Sequence, residues 1–179
     1  MLKYFVLSLF VLSLTCLAFG EDSDSKESEF GVSQFNDTDG NIIPRPRYAQ
    51  LNINEKTYTF IFIPVNWYTA VEICNSQNQV IARVTSSEES TKLYDSLYKN
   101  GLLRADSSFW LGASDLGHYG RWSWITTGRP ALYTNWSPGE PNNIYGREHC
   151  LELLGNGKWN DNDCENLKHV VCQNRPICQ

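Results

Sequence analysis

The 179-residue chain has no cluster of lysines and arginines, and its formal net charge is -5. Nucleic-acid and anionic-membrane binders concentrate basic residues on one face, so neither partner is expected. There are three histidines and no spaced His/Cys set, which argues against a zinc centre. No Gly-x-Ser-x-Gly, zinc-protease or P-loop signature occurs, so short motifs give no support to an enzyme. Neither an internal repeat nor a heptad pattern is present, so no coiled-coil stalk is expected.

Long apolar runs are also missing, except at the start. Met1 and Lys3 precede an apolar run from Tyr4 to Phe19, which ends abruptly at Glu21, Asp22 and Asp24. The run is shorter than the ~20 residues of a spanning helix. With Ala18 and Gly20 it reads as a cleavable secretory signal over residues 1–20, and the mature chain as secreted with no membrane span. Cys16 leaves with the signal, and Cys74, Cys150, Cys164, Cys172 and Cys178 remain. In an oxidising compartment five cysteines predict two disulfides and one leftover thiol, and the sequence leaves the pairing open.

Residues 21–47 are acidic, serine-rich and poor in apolar side chains, and read as a flexible leader closed by Pro44-Arg45-Pro46. Asn36-Asp37-Thr38 in that leader is a glycosylation sequon. The domain is expected over 48–174, with a short tail at 175–179. Thr57 to Ile63 is rich in β-branched and aromatic residues and reads as a strand stopped by Pro64. Asn66 can cap a helix in which Trp67, Ala70, Val71 and Cys74 recur at helical spacing. Ser86 and Glu89 form a capping box for a second helix, whose apolar face is Leu93, Tyr94, Leu97 and Tyr98 and which Lys99-Asn100-Gly101 closes. Short strand-like segments follow at 109–113, 121–125, 149–154, 158–160 and 168–173. Between them, residues 126–146 are rich in Gly, Pro, Asn and Ser with little periodicity; such a loop inside a domain is functional or disordered. Helices early, short strands late and one long loop make an α+β fold.

Oxygen-bearing side chains crowd that loop and the strands beyond it: Glu140, Asn142, Glu148, Asn160 and Asp161. Three carboxylates and two amides suit calcium, a hard cation taking six to eight oxygen ligands. An amide can give its carbonyl to the metal and its NH2 to a hydroxyl, and a carboxylate can bind metal while accepting a hydrogen bond. A metal flanked by such pairs recognises vicinal hydroxyls without catalysis. Taken alone, Glu140-Pro141-Asn142 is a weak tripeptide.

Its surroundings resemble the C-type lectin-like domain family. The resemblance covers roughly residues 48–173. It rests on the helix ending in Cys74, Trp110-Leu111-Gly112-Ala113, Trp136 followed by Pro138-Gly139-Glu140-Pro141-Asn142, Glu148 two before Cys150, Trp159-Asn160-Asp161 three before Cys164, and Cys172. It implies the pairs Cys74–Cys172 and Cys150–Cys164 and a cis peptide before Pro141. Members that bind sugar hold their main calcium at positions that fall here on Glu140, Asn142, Glu148, Asn160 and Asp161, and Glu140, Asn142, Glu148 and Asn160 would meet the sugar. The Glu-Pro-Asn order implies mannose, fucose or N-acetylglucosamine, with galactose a second option because Tyr145 or His149 can alter the fit. An auxiliary calcium position corresponds to Asp115, Tyr119, Asn143 and His149, of which only Asp115 is acidic, so that site is expected to be empty or weak.

The expected partners are glycans or glycoproteins, as in recognition of microbial surfaces. A protein-binding module of the same fold is the alternative. A glycosidase using Glu140, Glu148 and Asp161 as paired carboxylates would leave them no role as metal ligands. Trp110, Trp122, Trp124, Trp136 and Trp159 read as core, and burial of Trp136 argues against glycosylation at the second sequon, Asn135-Trp136-Ser137. Cys178 is either a free thiol or the link of a homodimer, which would supply the avidity a single weak sugar site lacks.

Overall fold

The computed structural model describes residues 33–36, 42–45, 48–53, 55–103 and 106–175; of the first two segments it describes the backbone alone. All of them lie in one compact unit, Phe30–Arg175. The secretory signal expected over 1–20 and Cys178 lie outside the described residues, as does the side chain of Asn36. Within the expected leader, strands β1 (Ser33–Asn36) and β2 (Ile42–Arg45) pair antiparallel as a separate two-stranded sheet. A ribbon of that size on its own is marginal in water.

The β-branched and aromatic run becomes β4 (Lys56–Val65), preceded by β3 (Tyr48–Ile53). Pro64 does not stop β4, which continues to Val65. The partner strand shifts register opposite that end, between Lys168 and Val170. A proline, which has no N–H to donate, is tolerated at such a break in the ladder.

Asn66 caps α1 (Trp67–Ser76), its side-chain oxygen accepting the Thr69 N–H at 2.9 Å. Trp67, Ala70 and Cys74 form the buried stripe that the helical spacing predicted. The three-residue β5 (Gln79–Ile81) leads to α2 (Ser87–Lys99), which buries Glu89, Ser90, Leu93 and Leu97. Ser86 accepts the Glu89 N–H at 3.1 Å, but Glu89 does not complete a capping box. Its carboxylate turns inward, accepting hydrogen bonds from Thr85 N at 2.6 Å and Tyr58 Oη at 2.5 Å and pairing with Lys56 Nζ at 2.5 Å. Gly101, at φ +64°, closes the helix in the left-handed conformation.

The remaining strands are β6 (Ser108–Ser114), β7 (Ser123–Trp124), β8 (Arg129–Pro130), β9 (Glu148–Leu154), β10 (Trp159–Asp163) and β11 (Lys168–Asn174). The main sheet runs β10-β9-β6-β11-β4-β3, with β11 parallel to β6 and antiparallel to β4. The fold is therefore α+β.

Two apolar clusters hold it. One, containing Phe60, Leu93, Leu97, Phe109, Leu111 and Trp159, lies under α2. The other, containing Trp67, Trp110 and Val170, holds both disulfides, Cys74–Cys172 and Cys150–Cys164. Each fully buried large apolar side chain contributes roughly 1.5–3 kcal/mol. Trp110, Trp124 and Trp159 are buried; Trp122 and Trp136 are half-buried against the first cluster.

Candidate functional site

The long loop is stitched to β10 at its stem. Trp159 donates its N–H to Asn135 O at 2.9 Å, and its carbonyl accepts the Ser137 N–H at 2.8 Å. Trp136 stands edge-on to Trp159 at 5.9 Å and to Trp122 at 4.9 Å. This seating carries Glu140 toward Asn160 and Asp161, the residues that follow Trp159. Glu140 N–H donates to Ser137 O at 3.0 Å, and the Glu140–Pro141 peptide is cis.

Beyond Pro141 the loop folds over Asp161, which is 1% exposed. The Asn142 and Asn143 N–H groups donate to its two carboxylate oxygens, at 3.1 and 2.7 Å. Asn142 Nδ2 donates to Glu140 Oε1 at 2.8 Å. Ile144 N–H lies 3.0 Å from both Asn142 Oδ1 and Glu148 Oε2, and Glu148 N–H donates to Asn143 Oδ1 at 2.9 Å. Asn160 Nδ2 donates to the Asp161 carbonyl. The structure thus brings Glu140, Asn142, Glu148 and Asp161 into one hydrogen-bonded set, with Asn160 joined to it through Asp161.

The electrostatics of this set are unfavourable in one respect. Glu140 Oε2 is buried without a hydrogen-bond donor. Burial, and then the Asp161 carboxylate beside it, push the Glu140 carboxyl above its ordinary value. Glu148 is raised as well, first by burial and then by Asp161, Glu152 and Asp163, against the lowering effect of the Ile144 N–H. Among the described residues no three His, Cys, Asp or Glu side chains group as a metal site by themselves. The two asparagines are therefore needed to complete a donor set. Oxygen donors only, three of them mutually repelling carboxylates and one with an oxygen lacking any donor, fit a hard divalent cation such as calcium.

Behind Asn160 lies a layer that the sequence did not reveal. Glu152, 2% exposed, accepts from Asn162 Nδ2 at 2.6 Å and Asn160 Nδ2 at 3.4 Å, and pairs with Lys168 Nζ at 2.9 Å. Periodicity could not have exposed it, because β9 is buried on both faces from Cys150 to Leu153. Arg147 joins the loop to β10 through Asp163 at 2.9 Å.

The auxiliary positions are arranged differently. Asp115, 3% exposed, has one oxygen 2.8 Å from His149 Nδ1 and the other accepting the Gly120 N–H at 2.7 Å. Tyr119 stands edge-on to His149 at 6.4 Å. Asn143 is turned toward Glu148 and Asp161 rather than toward this pair. Tyr145 is 94% exposed, with its backbone at φ +57°, a conformation rare for a bulky residue. At the second sequon, Asn135 Nδ2 donates to Gly157 O at 2.8 Å and Ser90 Oγ at 3.2 Å, and Ser137 Oγ is buried.

Comparison with known proteins converges on one family. A profile described as the lectin C-type domain matches residues 63–174. Perlucin of Haliotis laevigata is 39% identical over 125 residues, covering 67% of this chain and 77% of that protein. The C-type lectin mosGCTL-7 of Aedes aegypti is 34% identical over 124 residues, covering 64% and 82%. Among solved structures, the carbohydrate-recognition domain of cow CD23, determined in the presence of a GlcNAc2Man3 oligosaccharide, superposes with a TM-score of 0.62 at 30% identity, covering 73% of this chain and 95% of that one.

Proposed function

Because the chain belongs to the C-type lectin domain family, we propose that it is a secreted, calcium-dependent sugar-binding protein without catalytic activity, whose site is built by Glu140, Asn142, Glu148, Asn160 and Asp161. The observation that carries the reading is the convergence of these oxygen donors, with a buried Glu140 oxygen that has no donor. Bound there, calcium would offset the mutual repulsion of the three carboxylates and coordinate two vicinal sugar hydroxyls directly.

The protein residues do the orienting. Asn142 Nδ2 and Glu140 Oε1 already stand 2.8 Å apart as donor and acceptor. A sugar hydroxyl inserted between them would accept from the amide and donate to the carboxylate. Glu148 and Asn160 would form the second pair once the Asn160 amide turns from the Asp161 carbonyl and Glu152, which it meets in the ion-free structure. The amides of Asn160 and Asn162 rest on Glu152, which Lys168 neutralises. The Glu-Pro-Asn order, and a relative studied with a mannose-containing oligosaccharide, support the mannose, fucose and N-acetylglucosamine class over galactose. With both Asp115 oxygens engaged by His149 and Gly120, we assign one calcium rather than two.

A secreted protein is supported by the apolar N-terminal run; among the described residues no helix is long and apolar enough to cross a membrane. Asn36 is the glycosylation site of this reading, since the Asn135 amide is held by Gly157 and Ser90.

A glycan array probed with calcium and with chelator tests the proposal. Mannose-type ligands should be bound with calcium and released by the chelator. Binding to a protein partner that survives the chelator, with no glycan bound in calcium, would make the domain a protein-recognition module instead.

A further inference from the structure

The segment from Leu116 to Gly139 contains no Asp or Glu, yet holds Arg121 and Arg129, in a chain of net charge -5. A cavity of about 240 Å³ opens in this acid-free segment, lined among others by Ser114, His118, Arg121, Ser123, Trp124 and Gly128. It is separate from the Glu140–Asp161 cluster, none of whose residues lines it. We propose that this cavity is a second, calcium-independent site that takes a sulfate group of a sulfated glycan.

Three observations carry this. First, among the described residues neither the Arg121 guanidinium nor the His118 ring has a hydrogen bond or ion pair; Arg121 and His118 are joined only through their backbones, at 2.9 Å. The nearest acid in sequence, Asp115, is buried and turns its oxygens to the Gly120 N–H and His149 Nδ1 instead. An unpaired guanidinium on a concave surface focuses positive potential and offers a fork of donors that matches oxyanions. Second, the cavity is smaller than the roughly 300–1,000 Å³ of pockets that enclose a drug-sized ligand. It suits one charged group projecting from a larger molecule that stays outside. Third, its wall is not purely polar. Buried Trp124 and exposed Ile125 line it with the serines, so a sugar ring carrying the charged group would meet apolar surface as well as donors.

Dextran sulfate, with uncharged dextran as control, is the probe, in excess chelator at about 0.15 M salt, where exposed charges farther apart than about 8 Å are screened. The expected result is binding of dextran sulfate and not dextran. Arg121→Ala should weaken that binding about tenfold, the loss of a charge-assisted hydrogen bond. Arg175→Ala, which removes an exposed arginine elsewhere, should leave it unchanged, and Glu140→Gln should leave it unchanged while abolishing calcium-dependent mannose binding. Equal losses in Arg121→Ala and Arg175→Ala would overturn the proposal in favour of diffuse attraction. Absence of binding in chelator with binding in calcium would overturn it in favour of the calcium site, and absence of binding in both would overturn it outright. Arg121 is exposed, so its replacement should leave the thermal midpoint within error of the parent.

Discussion

At the scale of single residues, Asn142 has two tasks that one substitution separates. Its carbonyl oxygen is a metal donor on the proposed reading, and its NH2 is the donor to a sugar hydroxyl. Asn142→Asp keeps an oxygen for calcium and removes the NH2. Mannoside affinity should fall about tenfold, the cost of a lost neutral hydrogen bond that leaves the hydroxyl facing a carboxylate, while calcium affinity, read by calorimetry, falls less or rises. Equal losses of both would contradict the division of roles. Protons act on the same residues. Glu140 and Glu148 are raised above ordinary carboxyl values, and a carboxylate must be deprotonated to bind calcium. Mannose retention should therefore fail in mild acid, before the pH reaches the ~4.3 of an unperturbed Glu. Retention unchanged down to about pH 4 would refute it. The sign for the ion-free protein is opposite. Groups raised on folding add stability that is fully present below their unfolded pKa and lost as pH rises through the folded one. The thermal midpoint in chelator should thus gain from mild acidification at these two groups, while the increment due to calcium shrinks.

At the scale of elements, α2 is anchored by a charge. Burial works to raise the Glu89 carboxyl, but Lys56, Tyr58 and Thr85 together hold it below its ordinary value. Glu89→Ala would leave Lys56 unpaired at the base of β4 and should destabilise by about 3 kcal/mol, the low end for a broken buried pair, since Lys56 remains partly exposed. Urea denaturation measures this; a change under 1 kcal/mol, about the worth of an exposed pair, would show the network to be incidental. A Cβ at Gly112 would stand 2.8 Å from Ile81 Cγ2 and 3.1 Å from the Ile81 carbonyl, so Gly112→Ala should cost roughly 1–3 kcal/mol by overpacking.

These elements also show what a sequence can disclose. Both helices were legible because Asn66 and Ser86 are unambiguous caps and the apolar spacing of Trp67, Ala70 and Cys74, and of Leu93 and Leu97, is helical. β3 carried a signal that went unread, because Ala49, Leu51 and Ile53 turn inward between exposed Tyr48, Gln50 and Asn52 with the alternation of a half-buried strand, whereas β5 is too short to have a period. Glu89 was misread because a capping box and an inward-turned glutamate share one spacing. Glu152 was invisible because no pattern marks a charge in a strand buried on both sides. The ligand cluster could be read as residue types, whereas the stitching of its loop to Trp159 could only be seen in three dimensions.

At the scale of the molecule, two kinds of cross-link tie the chain. Cys74–Cys172 spans 98 residues and joins α1 to β11; Cys150–Cys164 spans 14 and braces the two strands carrying the acids. Loop-closure entropy assigns the longer bond about 4.7 kcal/mol for a ~100-residue loop, so Cys74→Ser with Cys172→Ser should lower stability by several kcal/mol. The second link would be the proposed calcium, held by residues of the 140–148 loop and β10. A ligand that binds only the folded chain stabilises it by about 2.7 kcal/mol at a hundredfold excess over its Kd.

Titration of methyl α-mannoside into the intact chain, once in saturating calcium and once in excess chelator, decides whether sugar binding depends on the metal. The five-donor site predicts saturable binding of one mannoside per chain in calcium and none in chelator. Equal binding under both conditions would contradict it.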